Sequence, residues 1–338
     1  MPAPATFPTQ KQFIGFAKET TPGTPVAMVV TMPVDSFDPE DKVTALIDTA
    51  LRGSMAEEYN YIQGVKHSEF TGKGPMFMDS VGYLVMNILG DVTTTGASAP
   101  FSHAISLLNS GSGQPGTLTI TDWQGLPATN LARQYTGCCL SELTISGKAE
   151  SDYVMCEWKG LGWASNIAAA PPTSAPTTAL PLASWRSLVG LAGPATGGTL
   201  DSTLGDWELK ITRKLDQIFT AQNSQNPYIT QRGSLAATMK LDFSAPGTET
   251  NAYLAYINAT QPQIQIVIDN GLATTFALGM TLDVQVGAYD TDKIDRGAEA
   301  VAYSGTVKPM ANTTNAGASG GYSPVKVTLR NALAAGTY

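Results

Sequence analysis

The sequence predicts a mainly β fold made of two tandem β-sandwich or partial-barrel units, each with one short α-helix. Three observations support this fold class. Charged residues make up only 14% of the 338 residues, while Gly (33) and Pro (21) are abundant, a balance typical of β-rich, turn-rich chains. Several segments alternate apolar and polar residues. Landmark residues also recur at a nearly constant spacing across the middle of the chain.

A Pro-, Ala- and Thr-rich stretch divides the chain almost in half. Residues 166–184 (NIAAAPPTSAPTTALPLAS) contain no charged residue, which predicts a semi-extended linker. We therefore expect a first unit over residues 1–165 and a second over residues 185–338. Each unit is long enough to bury a core of its own.

Five pairs of landmark residues lie 168 to 170 positions apart across this linker. Because insertions of one or two residues explain the drift, the recurrence favours duplication of a single unit. The alternative is chance, since β proteins are rich in Tyr and Gly. The pairs are Phe37 and Trp207, Gly64 and Gly233, Tyr83 and Tyr253, Tyr135 and Tyr303, and Tyr153 and Tyr322.

Residues 133–160 (RQYTGCCLSELTISGKAESDYVMCEWKG) predict a β-hairpin with one solvated face. Leu143 and Ile145 share one parity, and polar residues occupy the other. After the turn, Cys156 and Trp158 alternate with charged residues in the same way.

The first unit has one segment with helical spacing, residues 78–91 (MDSVGYLVMNILGD). Its apolar residues form a stripe at helical intervals. Asp79 can cap the start of the helix, and Gly90 can end it. We expect this short helix to pack on a sheet.

The counterpart in the second unit is residues 248–260 (TETNAYLAYINAT). Thr248 would cap this helix, and strands over 235–243 and 263–269 would flank it. The stripe predicted to face inward consists of Tyr253, Leu254 and Ile257.

Composition argues against several classes of function. The net charge is −8 and the pI about 4.8, which does not suit binding of DNA phosphates by counterion release. No leader-like segment and no run of 18 apolar residues is present, so we expect a soluble chain that is not exported. Cys138, Cys139 and Cys156 cannot all pair within one chain, which favours reduced thiols in a cytoplasmic setting.

No catalytic, cofactor or metal site is predicted. His67 and His103 lie on separate strand-like runs, which leaves little room for a Ser-His-Asp arrangement. The glycine-rich residues 109–116 (NSGSGQPG) lack a following Lys-Ser/Thr, so we expect a loop and no phosphate site. One acidic run is out of register for a calcium loop and predicts a charged surface loop. Its members are Asp290, Asp292, Asp295 and Glu299.

Four stretches carry a resemblance to a known family. In order and spacing they resemble the major tail tube proteins of long-tailed, siphovirus-type bacteriophages. The likeness covers most of residues 11–163 and, more loosely, 185–331. The stretches are residues 16–26 (FAKETTPGTPV), 67–91 (HSEFTGKGPMFMDSVGYLVMNILGD), 101–107 (FSHAISL) and 133–150 (RQYTGCCLSELTISGKAE).

The resemblance implies a structural virion protein and no enzyme. Its subunits would form rings that stack into a tube, each unit giving strands to a continuous inner β-barrel with its helix outside. Genome DNA would pass through the lumen without specific binding. The implied partners are further copies of the chain and the tape measure, tail terminator and distal tail proteins, with no membrane contact. The protein would be made in the host cytoplasm and located in the virion tail.

The tandem organisation also predicts a copy number. Open strand edges are a hazard, and closing a ring of subunits edge to edge removes them. If a ring needs six equivalent units and each chain carries two, about three chains complete it with pseudo-sixfold symmetry. A hexamer is the alternative if the second half is a different domain.

Two long polar segments, residues 38–59 and 215–232, are predicted to be loops between strands. By the resemblance, such loops reach the adjacent ring; the alternative is ordinary solvated loops. The termini, residues 1–11 and 331–338, resemble mobile arms that order on assembly. Candidate inter-ring contact residues are Asp41, Asp48, Arg52, Asn226 and Arg232.

A second function remains open at this level, a double β-sandwich surface binding module of the carbohydrate-binding or pilus-like kind. Such a module would need an export signal, exposed aromatic platforms and preferably paired cysteines. The sequence shows neither an export signal nor an even set of cysteines.

Overall fold

The computed structural model describes residues 9–124, 132–150, 152–168, 172–173, 177–195, 200–244, 251–272, 277–297 and 300–338. Over these residues the fold is mainly β, as predicted, with nineteen strands, two α-helices and two short 3-10 helices. The pairings between these strands are antiparallel. They build a 12-stranded and a 7-stranded sheet.

The first half of the chain contains ten strands and one α-helix. The strands are β1 (Phe13–Lys18), β2 (Val30–Met32), β3 (Ser36–Asp48), β4 (Asn60–Pro75), β5 (Gly90–Thr95), β6 (Phe101–Leu107), β7 (Leu118–Trp123), β8 (Arg133–Lys148), β9 (Met155–Gly162) and β10 (Asn166–Ile167). Helix α1 (Val81–Leu89) lies between β4 and β5, and a 3-10 helix (Thr9–Lys11) precedes β1.

The second half follows a similar order after a 3-10 helix (Ser184–Arg186). Its strands are β11 (Leu188–Leu191), β12 (Leu200–Asp201), β13 (Leu204–Ile218), β14 (Ile229–Ser244), β15 (Ile264–Asp269), β16 (Gly279–Val284), β17 (Gly287–Asp295), β18 (Ala302–Pro309) and β19 (Lys326–Asn331). Helix α2 (Asn251–Ile257) lies between β14 and β15.

Eight strands of the larger sheet run through both halves in the order β3-β4-β9-β8-β13-β14-β18-β17, and we call this part the long sheet. It crosses between the halves where β8 pairs with β13. Strands β3 and β17 have one partner each among the described residues and form its edges. The described strands of one chain therefore make an open sheet and no closed barrel.

A second layer covers one face of the long sheet. It contains the seven-stranded sheet β12-β11-β15-β16-β19-β6-β5 and the strands β2-β1-β7, which join the start of β8. Strand β19 pairs with both β16 and β6, so this layer also mixes the two halves. One continuous core lies between the layers, with Phe70, Trp158 and Leu209 from the long sheet and Ile266 and Leu282 from the other.

Helix α1 forms where the apolar stripe predicts it, and its residues are buried. Gly90 ends it with a φ of 98°, in the left-handed region that favours glycine. The predicted cap is wrong by one residue. Ser80 occupies the N-cap position and Asp79 precedes it, and no side-chain cap hydrogen bond forms there.

Helix α2 also forms, but the side predicted to face inward is wrong for two of three residues. Ala252 and Ala255 are buried, whereas Leu254 and Ile257 are exposed. Small alanines let the helix lie close to β17 and β18, and the ring of Tyr253 contacts that of Tyr303 at 5.6 Å between centroids. The predicted cap, Thr248, lies outside the described residues.

About half of the residues in the two polar segments predicted as loops lie in strands, which corrects that prediction. Strands β3 and β4 form one long hairpin joined by residues 49–59, and β13 and β14 form another joined by residues 219–228. We call them the first and second hairpins. Most of their charged residues, apart from Arg213 and Arg232, stand on the outward face of the strands. In segments with so many polar residues, the alternation of apolar and polar positions is hard to recognise.

Other predictions can be placed directly. Strands β8 and β9 form the expected hairpin, and the three cysteines are buried and free. Residues 109–116 form a loop between β6 and β7. His103 is buried, with its ring nitrogens 2.9 Å from Thr94 Oγ1 and 3.0 Å from Asn331 Oδ1, which is a structural role.

Two predicted flexible regions are partly ordered. In the linker, Leu182 is buried and its carbonyl accepts a hydrogen bond from Val154 N at 2.8 Å. Tyr338 is buried and its ring contacts that of Tyr83, so the C-terminal residues pack on the core and the prediction of a mobile arm there is wrong. Residues 1–8 lie outside the described part of the chain.

The acidic run near residue 290 is not a surface loop. Asp290, Asp292 and Asp295 lie in strand β17, whereas Glu299 is outside the described residues. Burial raises the pKa of Asp292 to about 6.

Candidate functional site

The long sheet has one face in the core and one face toward solvent, which we call the solvent face. The solvent face arises because side chains alternate between the two faces of a strand. In β9, Cys156 and Trp158 are buried, whereas Lys159 points to solvent. Nine of the chain's lysines stand on the solvent face, and the described strands place no arginine there. The lysines are Lys42, Lys73, Lys148, Lys159, Lys210, Lys214, Lys240, Lys293 and Lys308.

Most of these lysines have carboxylate neighbours. Carboxylates on this face include Asp38, Glu40, Glu69, Glu142, Glu157, Asp206, Glu208, Asp216, Asp242, Asp290 and Asp295. Several pairs cross from strand to strand, such as Lys240 with Glu208 at 3.2 Å and Lys308 with Asp290 at 2.9 Å. The solvent face is therefore a nearly balanced mixture of charges.

Glu142 has a central place on the solvent face, beside the junction of the two halves. Its carboxylate lies 3.1 Å from Lys159 Nζ on β9 and 2.7 Å from Lys210 Nζ on β13. Partial burial acts to raise the pKa of Glu142, but the two lysines outweigh it and hold that pKa below its ordinary value. Glu142 is thus a carboxylate that neutralises two cations.

The junction between β8 and β13 has a regular register. Thr144 lies opposite Lys210, and the pairing runs from Glu142 opposite Thr212 to Lys148 opposite Asp206. This is an ordinary antiparallel ladder between two strands of one chain.

Bulges interrupt the long sheet at five places, one of which lies between Leu204 and Asp206 at the start of β13. In the first hairpin, β4 has an extra residue at Gly64, where the register shifts opposite Val43 and Ala45. In the second hairpin, β14 has one at Gly233, opposite Arg213 and Leu215. Strands β8 and β17 carry an extra residue each, between Leu140 and Glu142 and between Tyr289 and Thr291. Such bulges bend and twist a strand.

Two buried arginines hold the second hairpin against the first half of the chain. Arg213 donates from Nη1 to the carbonyl of Ile88 at 3.1 Å and from Nη2 to that of Gly113 at 3.2 Å. Arg232 donates from Nη1 to the carbonyl of Pro115 at 2.5 Å. Burial, and next the charge of Arg232, lower the pKa of Arg213 to about 10.

The predicted contact residues do not form one site. Arg232 is buried with its guanidinium bonded to carbonyls of the same chain, so it does not match an exposed contact. Asp41 lies near the edge of the long sheet, where it accepts hydrogen bonds from Ser165 N (2.8 Å) and Oγ (2.5 Å). The remaining three, Asp48, Arg52 and Asn226, lie at the tips of the hairpins.

At the tip of the first hairpin, Arg52 forms an ion pair with Asp48 and lies 5.0 Å from the centre of the Tyr59 ring. At the tip of the second, the backbone N of Asn226 donates to Ser224 Oγ at 3.2 Å. The second tip touches β4, since Lys66 N donates to the carbonyl of Gln225 at 2.9 Å.

Sequence reasoning missed two exposed apolar groups. The first, which we call the hairpin face, consists of Val43, Ile47 and Tyr61 on one side of the first hairpin, with Ile47 directly opposite Tyr61. The second, which we call the helix patch, consists of Leu254, Tyr256 and Ile257 at the end of α2. The sequence signal that could have revealed both groups is the presence of large apolar residues within segments that are otherwise rich in polar residues.

The part of the chain that the structure describes contains no helix long and apolar enough to cross a membrane. It also contains no group of three His, Cys, Asp or Glu side chains placed to hold a metal ion. A comparison with curated proteins found no match. The family model described as phage tail tube protein matches residues 9–319. Because that match extends over nearly the whole chain, the chain belongs to the phage tail tube protein family.

Proposed function

We propose that copies of this chain form rings that stack into the tube of a phage tail, the conduit through which genome DNA is delivered. The observation that carries the proposal is the long sheet, which has one uncovered face and two edge strands with no further partner among the described strands. Membership of the tail tube family supports a structural role in the virion tail and no enzymatic one. Tape measure, tail terminator and distal tail proteins would be its other partners.

Strand pairing supports a duplication with units over residues 1–165 and 185–338 joined by 166–184. The order β3-β4-β9-β8 recurs as β13-β14-β18-β17, with bulges at matching positions. Strands β3 and β13 also point the same way, since three antiparallel steps lead from β3 to β8 and a fourth leads to β13. One unit is then related to the other by a shift of four strands along the sheet.

Not all of the landmark pairs agree with this alignment. Phe37 and Trp207 match in the hairpin registers, as do Gly64 and Gly233 at the bulges. Tyr135 and Tyr303 do not match, because pairing aligns β18 with β9 and puts Tyr303 at the position of Cys156. The duplication therefore rests on the hairpins and bulges.

The same shift of four strands predicts how copies join. If it is applied once more, β17 of one chain pairs with β3 of the next, as β8 pairs with β13 within the chain. Lys293 takes the position of Thr144 and Glu40 that of Lys210, so Lys293 lies opposite Glu40 across the seam. Opposite charges placed directly across from each other favour this register.

Ring size follows from the number of strands. Three copies of the long sheet give about 24 strands, and strands ~4.8 Å apart with a tilt of ~40° make a barrel ~48 Å across at the backbone. Six copies would double this diameter. We therefore propose rings of about three chains, with the solvent face of the long sheet lining the lumen and the helices outside.

A disulfide placed across the seam tests the ring. We expect Lys293→Cys combined with Glu40→Cys to give covalently closed rings of three chains under mild oxidation, because residues opposite each other in an antiparallel pair are ~4.5–5.5 Å apart at Cα, within disulfide reach. The native cysteines are buried and do not compete. Native mass spectrometry and denaturing gels would measure the product.

The matched control moves one cysteine along the same face. Lys293→Cys with Asp38→Cys puts the thiols at diagonal positions, ~7–8 Å apart, and should cross-link poorly. Wild-type protein that stays monomeric at high concentration would contradict the proposal. Rings of six chains would contradict the copy number, and equal cross-linking of both pairs would contradict the register.

Charge balance on the solvent face supports passage of DNA without retention, and Glu142 offers a test. We expect Glu142→Gln to raise the affinity of assembled rings for duplex DNA about tenfold at low salt, because Lys159 and Lys210 are freed to contact phosphates. Fluorescence anisotropy over a range of salt concentrations would measure this, with a steeper salt slope for the variant.

Glu157→Gln is the control, since it removes the same charge from the same face without breaking either ion pair of Glu142. A similar rise in both variants would assign the effect to net charge alone. Nanomolar, salt-sensitive DNA binding by wild-type rings would count against a lumen lined by this face.

A further inference from the structure

The second hairpin packs on the first half of its own chain through one face. Near its bulge, Arg213 reaches the carbonyl of Ile88 at the end of α1, and Gln217 Nε2 donates to the carbonyl of Gly162 at 3.3 Å. Thr230, directly opposite Gln217, is 7% exposed. This face of the second hairpin is therefore covered within the chain.

The equivalent face of the first hairpin is uncovered. With the bulges at Gly64 and Gly233 as reference, Val43 takes the position of Arg213 and Ile47 that of Gln217. Tyr61 takes the position of Thr230 and is 58% exposed. These three residues are the hairpin face, which is apolar where the second hairpin presents polar groups to its partner.

The ends of the two helices also differ in burial. Tyr83 and Tyr253 hold the same place in α1 and α2, so the counterpart of Ile88 is the residue just after Ile257. Helix α1 is buried throughout, and Arg213 caps its end. At the corresponding end of α2, Ile257 is 58% exposed, together with the rest of the helix patch.

We propose that the helix patch of one copy docks on the hairpin face of the next copy in the same ring. Within a chain, the second hairpin packs against the end of α1. The proposed contact is the equivalent packing between two chains, with the first hairpin against the end of α2. In the contact between chains, apolar contacts take the place of the hydrogen bonds from the guanidinium to carbonyls. The hairpin face and the helix patch would then bury each other. The contact is continuous with the β17-to-β3 seam and rests on the proposed ring.

The inference also changes the part assigned to the first hairpin. The body of this hairpin contacts a neighbour around the ring, and only its tip, with Asp48 and Arg52, is left to contact an adjacent ring. Burial of large apolar side chains at the centre of an interface contributes most of its binding energy, so the ring depends on these residues.

Single charges placed in either group test the contact. We expect Tyr61→Asp and Ile257→Asp each to raise the protein concentration needed for half-assembly of rings by at least tenfold. Both positions are exposed in the single chain, so its melting curve should not change. Ring fractions would be measured by native mass spectrometry and checked by negative-stain microscopy.

A matched control and a rescue sharpen the experiment. Ile62 is adjacent to Tyr61 and 66% exposed, but stands on the opposite face of the strand, so Ile62→Asp should leave the ring mass unchanged. Tyr61→Asp combined with Ile257→Lys places opposite charges in the contact, and we expect it to recover assembly relative to Tyr61→Asp alone.

Each outcome separates this inference from the proposed function. Wild-type rings that persist at full strength in Tyr61→Asp and Ile257→Asp would overturn the inference and leave the tube intact. If Ile62→Asp dissociated the rings as strongly as Tyr61→Asp, the contact would not be specific to the hairpin face, and the inference would be wrong. Absence of wild-type rings at any concentration would reject the proposed function itself.

Discussion

Arg213→Met should lower the free energy of unfolding of the single chain by about 3–5 kcal/mol. The guanidinium of Arg213 serves the carbonyls of Ile88, Gly113 and Gly233, and methionine has no donor for any of them. Removing a charged group that is costly to bury recovers part of this loss, but the buried carbonyl of Ile88 and the part-buried carbonyls of Gly113 and Gly233 then lose this donor. Urea denaturation followed by circular dichroism would measure the change.

Lys214→Met is the control for this substitution, since Lys214 is the next residue and is exposed. We expect its effect to stay within about 0.5 kcal/mol of wild type. If Arg213→Met is equally mild, the arginine does not hold the second hairpin on the first half, and the packing used as the template for the contact between chains loses its basis.

Trp158→Ala should also cost about 3–5 kcal/mol, because it empties a large volume in the core. Trp158 is fully buried in β9 and contacts Phe16 edge to face, with 6.4 Å between ring centroids. It lies over Gly72 of β4, where a Cβ would stand 2.2 Å from the ring. Thermal and urea unfolding of the variant would show the loss.

The close approach of Trp158 and Gly72 gives a second measurement. Gly72→Ala alone should destabilise the protein, since the ring must move, but in the Trp158→Ala background that cost should disappear. Trp185→Ala is the matched control, because Trp185 is 68% exposed and should contribute little. If the losses in unfolding free energy from Gly72→Ala and Trp158→Ala are additive, the absence of a side chain at Gly72 is not needed to accommodate the Trp158 ring.

The sequence predicts correctly those elements in which the apolar residues recur at regular helical or strand spacing. Helix α1 has apolar residues at helical spacing, the hairpin of β8 and β9 has one apolar and one polar side, and both form where expected. The first hairpin was mistaken for a loop because it departs from this rule. Its residues Leu46 and Ile47 point to opposite sides and are both exposed in the single chain, so no burial pattern marks a strand.

The details that failed depend on partners far away in sequence. Hydrophobicity alone predicts that Leu254 and Ile257 face inward, but the small residues Ala252 and Ala255 fit the space beside β17. The sequence predicts a surface charge at Arg232, yet its guanidinium donates to the carbonyls of residues 115 and 116 inside the protein. The pairing of β6 with β19 joins residues more than 200 positions apart, which local periodicity does not reveal.

The matching bulges of the two halves bear on the geometry of the tube. An extra residue bends its strand, and here the bends at Gly64 and Gly233 recur after every four strands. In the proposed ring, equal bends at equal intervals would give a constant curvature, so the repeated bends, and no single contact, would set the radius. Straightening one of these bends would widen the circumference and change how many copies fit around it.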